Sequence, residues 1–195
     1  MSRRTVTALV GLVGVVASLA ACSEGPEPLP RSGLESAPRG TATVSASEQA
    51  EAVGAAKGRL AGYLQALDTA MQAPLKYSPD TLRDQSDPVG SQAQTFLATL
   101  RHENARQRGR TRLVRTTVTR TALVETVEGG TTVPPTIVLD ACIDYSDVRY
   151  VRKNGEALPM RPQKMILSTF TLTNTDYPKR DSWRVTYMTT ENKPC

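Results

Sequence analysis

Residues 137–145 read Ile-Val-Leu-Asp-Ala-Cys-Ile-Asp-Tyr, and this stretch decides the class of fold. Apolar side chains recur at every second position, and the positions between them include Asp140, Cys142 and Asp144. Successive side chains of a strand point to opposite faces, so the pattern predicts a β-strand with one buried face and one more polar face.

Three further strands are predicted around this one. Residues rich in Val, Thr and Ile alternate over 110–124, 164–173 and 182–190. Gly129-Gly130 offers a turn, and Asn154-Gly155 is the dipeptide that tight hairpins prefer. The second half of the chain therefore reads as a series of hairpin-linked strands.

Helices are predicted before the strands. Ser45 and Glu48 have the spacing of a capping box, and apolar residues then recur every three or four positions over 53–71. Pro74 ends this long amphipathic helix. A second helix is expected from about residue 91 to residue 108, because apolar residues again follow the helical spacing and a glycine comes next.

The order of these elements indicates an α+β fold with a mostly antiparallel, four-stranded sheet. A short additional helix is expected to begin at 78–80, where Ser-Pro-Asp forms a helix start. On the last strand, Trp183, Val185 and Tyr187 are expected to share one face, with Trp183 in the core or at its rim.

The N-terminal residues resemble an export signal. Arg3-Arg4 precedes an apolar run over 6–21, which closes with Leu19-Ala20-Ala21-Cys22. The small residues directly before Cys22 resemble a bacterial lipobox, which implies that Cys22 is the first mature residue and carries a lipid. The alternative is an uncleaved anchor helix, although the run is short for a span of about 20 residues.

Three segments follow from this interpretation. Residues 1–21 are a lipoprotein signal peptide, 22–44 are a flexible tether rich in Pro, Ser and Gly, and 45–195 are one folded domain. The expected location is the extracytoplasmic face of the cell membrane, with the membrane as a partner through the lipid on Cys22.

The remaining cysteines, Cys142 and Cys195, are an even number in an oxidising compartment. The simplest interpretation is one disulfide, and the alternative is two free thiols. Arg184 on the last strand is expected near the terminal carboxylate, because the disulfide draws that strand toward Cys142.

The net charge is +5, from 24 Lys and Arg against 19 Asp and Glu, which does not by itself indicate a polyanionic partner. A local basic stretch could contact anionic lipid heads or wall polymers, or it could be a solvated face. Few aromatic residues accompany it, so nucleic acid is not expected. Its members are Arg101, Arg106, Arg108, Arg110, Arg112, Arg115 and Arg120.

Candidate chemistry is sparse. Asp140, Asp144 and Tyr145 are the weak pocket candidates, since a carboxylate beside a tyrosine can abstract protons. The preferred interpretation is that both carboxylates are structural, because Asp144 and Tyr145 point to opposite faces of a regular strand. His102 is expected on the surface, and no catalytic residue, cofactor or metal site is predicted.

The pattern resembles the NTF2-like (SnoaL-like cone) superfamily, in particular its small exported actinobacterial lipoproteins. The resemblance covers about residues 46–195 and rests on short motifs in a given order. These are Leu139-Asp140-Ala141-Cys142-Ile143-Asp144-Tyr145-Ser146, Asn154-Gly155, Trp183-Arg184-Val185 and Pro194-Cys195. It implies a cone in which a long N-terminal helix and shorter helices pack on a curved sheet.

That superfamily contains enzymes similar to ketosteroid isomerase and polyketide cyclases, and also members that only bind or scaffold. The leading expectation is a non-catalytic, membrane-tethered module that binds a protein or a small ligand in the cell envelope. The alternatives are an isomerase or dehydratase with a cone pocket, and an accessory subunit of envelope transport or secretion machinery. Fold alone does not decide between them.

Overall fold

The computed structural model describes residues 44–78, 89–128, 131–160, 164–191 and 193–195. The expected signal peptide, Cys22, almost all of the tether, the helix start at 79–80 and the Gly129-Gly130 turn lie outside the described residues. The described α-helices are α1 (Ala46–Gln72) and α2 (Val89–His102), and a 3₁₀ helix spans Arg180–Ser182. The strands are β1 (Ala105–Arg108), β2 (Arg112–Ala122), β3 (Thr126–Glu128), β4 (Thr131–Val133), β5 (Thr136–Asp144), β6 (Arg149–Arg152), β7 (Met165–Asn174) and β8 (Trp183–Glu191).

The start of α1 is the capping box expected from the sequence. The Ser45 hydroxyl accepts the backbone N–H of Glu48 at 3.2 Å, and the Ser45 N–H donates to the Glu48 carboxylate at 2.8 Å. Two N–H groups that would lack helical partners are thereby satisfied. One side of the helix is buried, including Ala56, Leu60 and Tyr63.

The main sheet has the order β2-β5-β7-β8, and every neighbouring pair is antiparallel. The α+β prediction with a four-stranded antiparallel sheet is confirmed. The core lies between one sheet face and α1, which contributes Leu60 and Tyr63. The sheet contributes Ile137, Leu139, Ala141, Ile143, Phe170, Leu172, Trp183 and Val185.

Register shifts interrupt the alternation that the sequence predicts. On β2 the pairing with β5 skips Val114 and Thr119, so both side chains are exposed. On β8 the register shifts after Val185, and Tyr187 is 58% exposed. The expectation that Tyr187 shares the buried face of Trp183 is therefore wrong, because an extra residue reverses the faces of a strand.

The second helix ends earlier than predicted. It stops at His102, and β1 begins at Ala105, so the expected helix to 108 is wrong in its last turn and a half. Asn104 adopts a left-handed backbone conformation with φ 49°, and its N–H donates to the carbonyl of Arg101. Asn is one of the few residues besides Gly that ends helices in this way.

β1 pairs with β6 to form an antiparallel two-stranded ribbon beside the main sheet. Asn154-Gly155 turns the chain after β6, and Gly155 has φ 88°, a conformation that favours glycine. Within the described residues, no helix is long and apolar enough to cross a membrane.

A disulfide joins Cys142 on β5 to Cys195, the pair expected from the sequence. It fixes the last residue of the chain against the sheet face opposite α1. Arg184 does not approach it, contrary to expectation. Arg184 pairs with Thr173 at the start of β8, whereas Cys142 is aligned with Leu167 and, through it, with Glu191 at the other end.

Candidate functional site

A cavity of about 220 Å³ lies between α1, α2, β1 and the main sheet. Its wall is mostly apolar, with a few polar groups. The apolar lining comprises Leu64, Leu67, Met71, Ala93, Phe96 and Met188, and the polar lining comprises Tyr63, Asp68, Gln92, Gln107, Thr111, Tyr145 and Tyr150.

Asp68 is the charged residue of this cavity and is only 7% exposed. Its Oδ1 accepts Gln107 Nε2 at 2.7 Å and the Thr111 hydroxyl at 2.6 Å. Its Oδ2 accepts the backbone N–H of Thr111 at 2.7 Å. Three donors thus hold the carboxylate, as a buried charge requires.

Two tyrosines stand near this carboxylate. Burial, and secondarily the negative charge of Asp68, raises the pKa of the Tyr145 phenol. Burial first, then Tyr145 and Asp68, raises the pKa of Tyr150 to about 12. Both phenols are therefore protonated at neutral pH, and within the described part of the chain neither hydroxyl donates a side-chain hydrogen bond.

Tyr150 is held in place by an aromatic contact. Its ring meets Phe96 of α2 edge-on, with 5.1 Å between centroids and an interplanar angle of 73°. Such edge-to-face pairs are favourable beyond their buried area. α2 and β6 therefore fix one side of the cavity together.

The three weak pocket candidates from the sequence are not brought together. Tyr145 lines the cavity, but Asp140 and Asp144 alternate with the buried residues of β5 and lie on the opposite sheet face. Asp140 accepts the Thr169 hydroxyl at 2.7 Å. Asp144 accepts the Ser146 N–H at 2.8 Å. Hydrogen bonds from the side chain and the backbone of Ser146, with a smaller effect of Arg112, lower the pKa of Asp144.

The basic stretch is divided among several places. Arg101 donates to the carbonyls of Pro74 and Tyr77, and Arg112 pairs with Asp147. Arg115 and Arg120 are exposed on the main sheet, and the other three lie on and just after β1. His102 is exposed at the end of α2, as expected. Among the described residues, no three His, Cys, Asp or Glu side chains group as metal ligands.

Asp68 and Gln107 were not predicted from the sequence. A signal for Asp68 existed, because it lies between Leu64 and Met71 on the buried side of α1, where a charged residue needs partners. Gln107 was assigned to the second helix, so its inward direction on β1 went unnoticed. Its partnership with Asp68 spans 39 residues and has no local sequence signal.

Comparison with known proteins does not identify a family for this chain. No protein-family model matches the chain, and no curated protein matches it. The crystal structure of the intermembrane space region of the chloroplast protein ARC6 is similar at a TM-score of 0.45. It is 10% identical, over 69% of this chain and 92% of that chain. This likeness is too low to carry an argument about function.

Proposed function

We propose that the chain is a membrane-tethered, extracytoplasmic NTF2-like domain that binds a compact ligand without catalysing its conversion. The observation that carries this proposal is that the buried Asp68 carboxylate already accepts three hydrogen bonds. A cavity lined by two helices and a sheet is a usual place for a small-molecule site.

The bonding of Asp68 favours binding over catalysis. A general base needs a carboxylate oxygen within hydrogen-bond reach of the substrate proton. Three of the roughly four acceptor positions of the Asp68 carboxylate are already occupied by donors from Gln107 and Thr111, which leaves little room for a substrate proton. The tyrosines do not supply a base either, because their raised pKa values keep them protonated.

The cavity indicates the type of ligand. At about 220 Å³ it is smaller than the roughly 300–1,000 Å³ of drug-sized sites, so a compact molecule fits better. Its apolar lining suits a hydrocarbon body, and the Tyr145 and Tyr150 hydroxyls are available to donate to an acceptor such as a carbonyl or ether oxygen.

One observation favours the alternative, an isomerase-type enzyme. A buried carboxylate beside two tyrosines of raised pKa is an arrangement that functional sites share. In that case Asp68 would give up one of its hydrogen bonds from Gln107 or Thr111 when the substrate binds. The freed oxygen would then remove a proton from the carbon next to the substrate carbonyl. The two functions make opposite predictions for a simple ketone.

The experiment uses the unlipidated mature chain, residues 22–195 with Cys22→Ser, which contains every described residue. Cyclohexanone and phenol are titrated in, and amide chemical shifts are followed by NMR. We expect shifts at cavity residues. Gln92→Trp should abolish them by filling the cavity mouth, whereas Ala98→Trp, at an exposed position of the same helix outside the cavity, should not.

The same sample in deuterated water tests catalysis. A base would break an α C–H bond of cyclohexanone, take the proton and let solvent deuterium replace it. Binding without deuterium uptake supports the proposal. Uptake that Asp68→Asn abolishes in a folded variant would establish the enzyme instead, and absence of any binding by either probe would reject the compact-ligand site.

A further inference from the structure

Six cations gather around the end of α1 and the β1–β6 ribbon. One cleft is lined by Lys76, Arg106 and Lys153, and an adjoining cleft by Arg106, Arg108 and Arg110. Arg149 pairs with Arg108 across the ribbon. All six residues are exposed, and we call them the basic surface.

These charges are not neutralised locally. In the described part of the chain, none of the six forms an ion pair, and the nearby acids have other partners. Asp147 pairs with Arg112, whereas Glu103 and Glu156 both pair with Arg152. Like charges directly opposite in a sheet, such as Arg108 and Arg149, are destabilising. This cost indicates a surface suited to an anionic partner.

An exposed leucine stands at the edge of the basic surface. Leu75 is 75% exposed and lines the same cleft as Lys76 and Arg106. It lies on a turn closed by a bond from the Lys76 N–H to the Ala73 carbonyl at 2.9 Å. Arg101 donates to two carbonyls of this segment, including that of Pro74 at 2.8 Å. The turn is therefore held in place from within while its leucine points into solvent.

We propose that the basic surface docks on an anionic phospholipid bilayer, with Leu75 inserted among the headgroups. Cations attract anionic lipid surfaces, and an apolar side chain beside them adds favourable burial at the interface. This inference rests on the proposed function in one respect, which is that the tether keeps a membrane close to the domain.

The geometry of the chain allows this contact. α1 has 27 residues and is about 40 Å long, and the basic surface lies at the end opposite Ser45. The 22 residues from Ser23 to Val44 reach roughly 75 Å when extended, which exceeds that length. A lipid on Cys22 and the basic surface can therefore engage one bilayer together.

The test measures co-sedimentation of the unlipidated mature chain with vesicles of phosphatidylcholine alone or with one third phosphatidylglycerol. We expect binding only to the anionic vesicles, and weaker binding as salt screens the charges. Arg106→Gln/Arg108→Gln should lower the partition coefficient on the order of 20-fold, since each basic residue contributes about fivefold. The control Arg115→Gln/Arg120→Gln removes the same charge from exposed sites on the main sheet and should change binding far less.

A second pair of variants tests insertion. Leu75→Ala should lower binding to the anionic vesicles roughly fivefold. Val114→Ala, at an apolar site that is 53% exposed on the main sheet, should leave it unchanged. Thermal midpoints of all four variants, measured without vesicles, should stay near that of the parent because every altered side chain is exposed.

Equal losses in both arginine double variants would overturn the proposal, because they would indicate attraction by net charge alone. So would binding to soluble poly(glycerol phosphate) without binding to vesicles, which would assign the surface to a wall polymer. The lipid on Cys22 is absent from this assay. A failure of the docking surface is thus distinguishable from a failure of the lipid anchor, which membrane fractionation of the native protein measures.

Discussion

Asp68 accepts three hydrogen bonds in a cavity where the neighbouring tyrosines remain protonated. The same carboxylate helps to keep them so, because its negative charge opposes ionisation of Tyr145 and Tyr150. At the scale of single residues, the cavity therefore presents donors and apolar surface. That combination suits recognition of a neutral ligand that carries an acceptor.

The raised pKa of Tyr150 predicts a loss of stability in alkali. The phenol has a pKa near 10 in the unfolded chain and about 12 in the folded one. The unfolded state therefore ionises first, and the free energy of unfolding falls as pH rises from about 10 to 12. In Tyr150→Phe the free energy of unfolding should fall less over that range, by about 2 kcal/mol at most. Denaturant unfolding below and above pH 10 measures this difference.

Tyr187→Phe serves as the matched control, because this tyrosine is 58% exposed. Equal losses in all three proteins would show that the Tyr150 phenol ionises as it does in the unfolded chain, and would contradict its raised pKa.

At the scale of elements, regular repeats were readable from the sequence and their interruptions were not. The helical spacing of α1 and the alternation of β5 predicted both elements because each buries one regular face. The skipped residues Val114 and Thr119 carry no local signal. The early end of α2 depends on Asn104, whose carbonyl accepts the N–H of Lys153 far along the chain.

The same reasoning applies to the candidate site. Tyr145 was predicted because it ends the alternating stretch over 137–145. Asp68 and Gln107 were missed because the contact between α1 and β1 brings them together, and single-sequence periodicity does not encode that pairing. Asp140 and Asp144 belong to the same stretch, and the strand alternation that the sequence predicts places them on the face opposite the cavity.

Two glycines with positive φ give a matched test of how β1 is joined to β2. Gly109 has φ 80°, and a Cβ there would lie 1.9 Å from the carbonyl oxygen of Asp147. Gly155 has φ 88°, with nothing within 4 Å of such a Cβ. Gly155→Ala should cost about 1 kcal/mol from backbone conformation alone. Gly109→Ala should cost several kcal/mol, because the turn must also move away from Asp147.

Denaturant unfolding of the two variants measures the comparison. Gly109→Ala should also disturb Gln72, whose amide donates to the Gly109 carbonyl at 2.9 Å. Similar stabilities for the two alanine variants would contradict the close approach of Gly109 to Asp147.

At the scale of the whole molecule, the sheet separates two surfaces of different composition. One face packs on α1 and encloses the cavity, while the opposite face carries Asp140 and the disulfide. The described C-terminal residues 193–195 are held there by Cys195 and by a bond from the Leu167 N–H to the Lys193 carbonyl at 3.2 Å. The covalent link therefore stabilises the end of β8 without contributing to the cavity.

Removing the disulfide should lower stability but leave the cavity intact. The bond closes a loop with a sequence separation of 53, for which the chain-entropy model gives about 4 kcal/mol. Cys142→Ala/Cys195→Ala should therefore unfold at lower denaturant, while phenol still shifts the cavity amides. Intact mass after alkylation, with and without reductant, tests whether the native protein holds the bond. Two alkylated thiols without reductant would exclude it.

We predict that Cys22 carries a lipid. Leu19-Ala20-Ala21-Cys22 closes an apolar run that follows Arg3-Arg4, and a lipid on the mature N-terminus would keep the domain at the envelope. Cys22→Ala should release the protein from the membrane fraction or leave its signal uncleaved. Ser23→Ala, one residue further on, should be processed and retained like the parent.

Membrane fractionation in high salt, with intact mass of the extracted protein, measures both effects. High salt screens the charges of the basic surface. Retention of the protein in the membrane fraction then reports attachment through the predicted lipid. A single acyl chain gives only marginal binding, so stable retention requires more than one chain or a chain with a polybasic patch. Processing and retention of Cys22→Ala equal to the parent under these conditions would contradict lipid attachment at this residue.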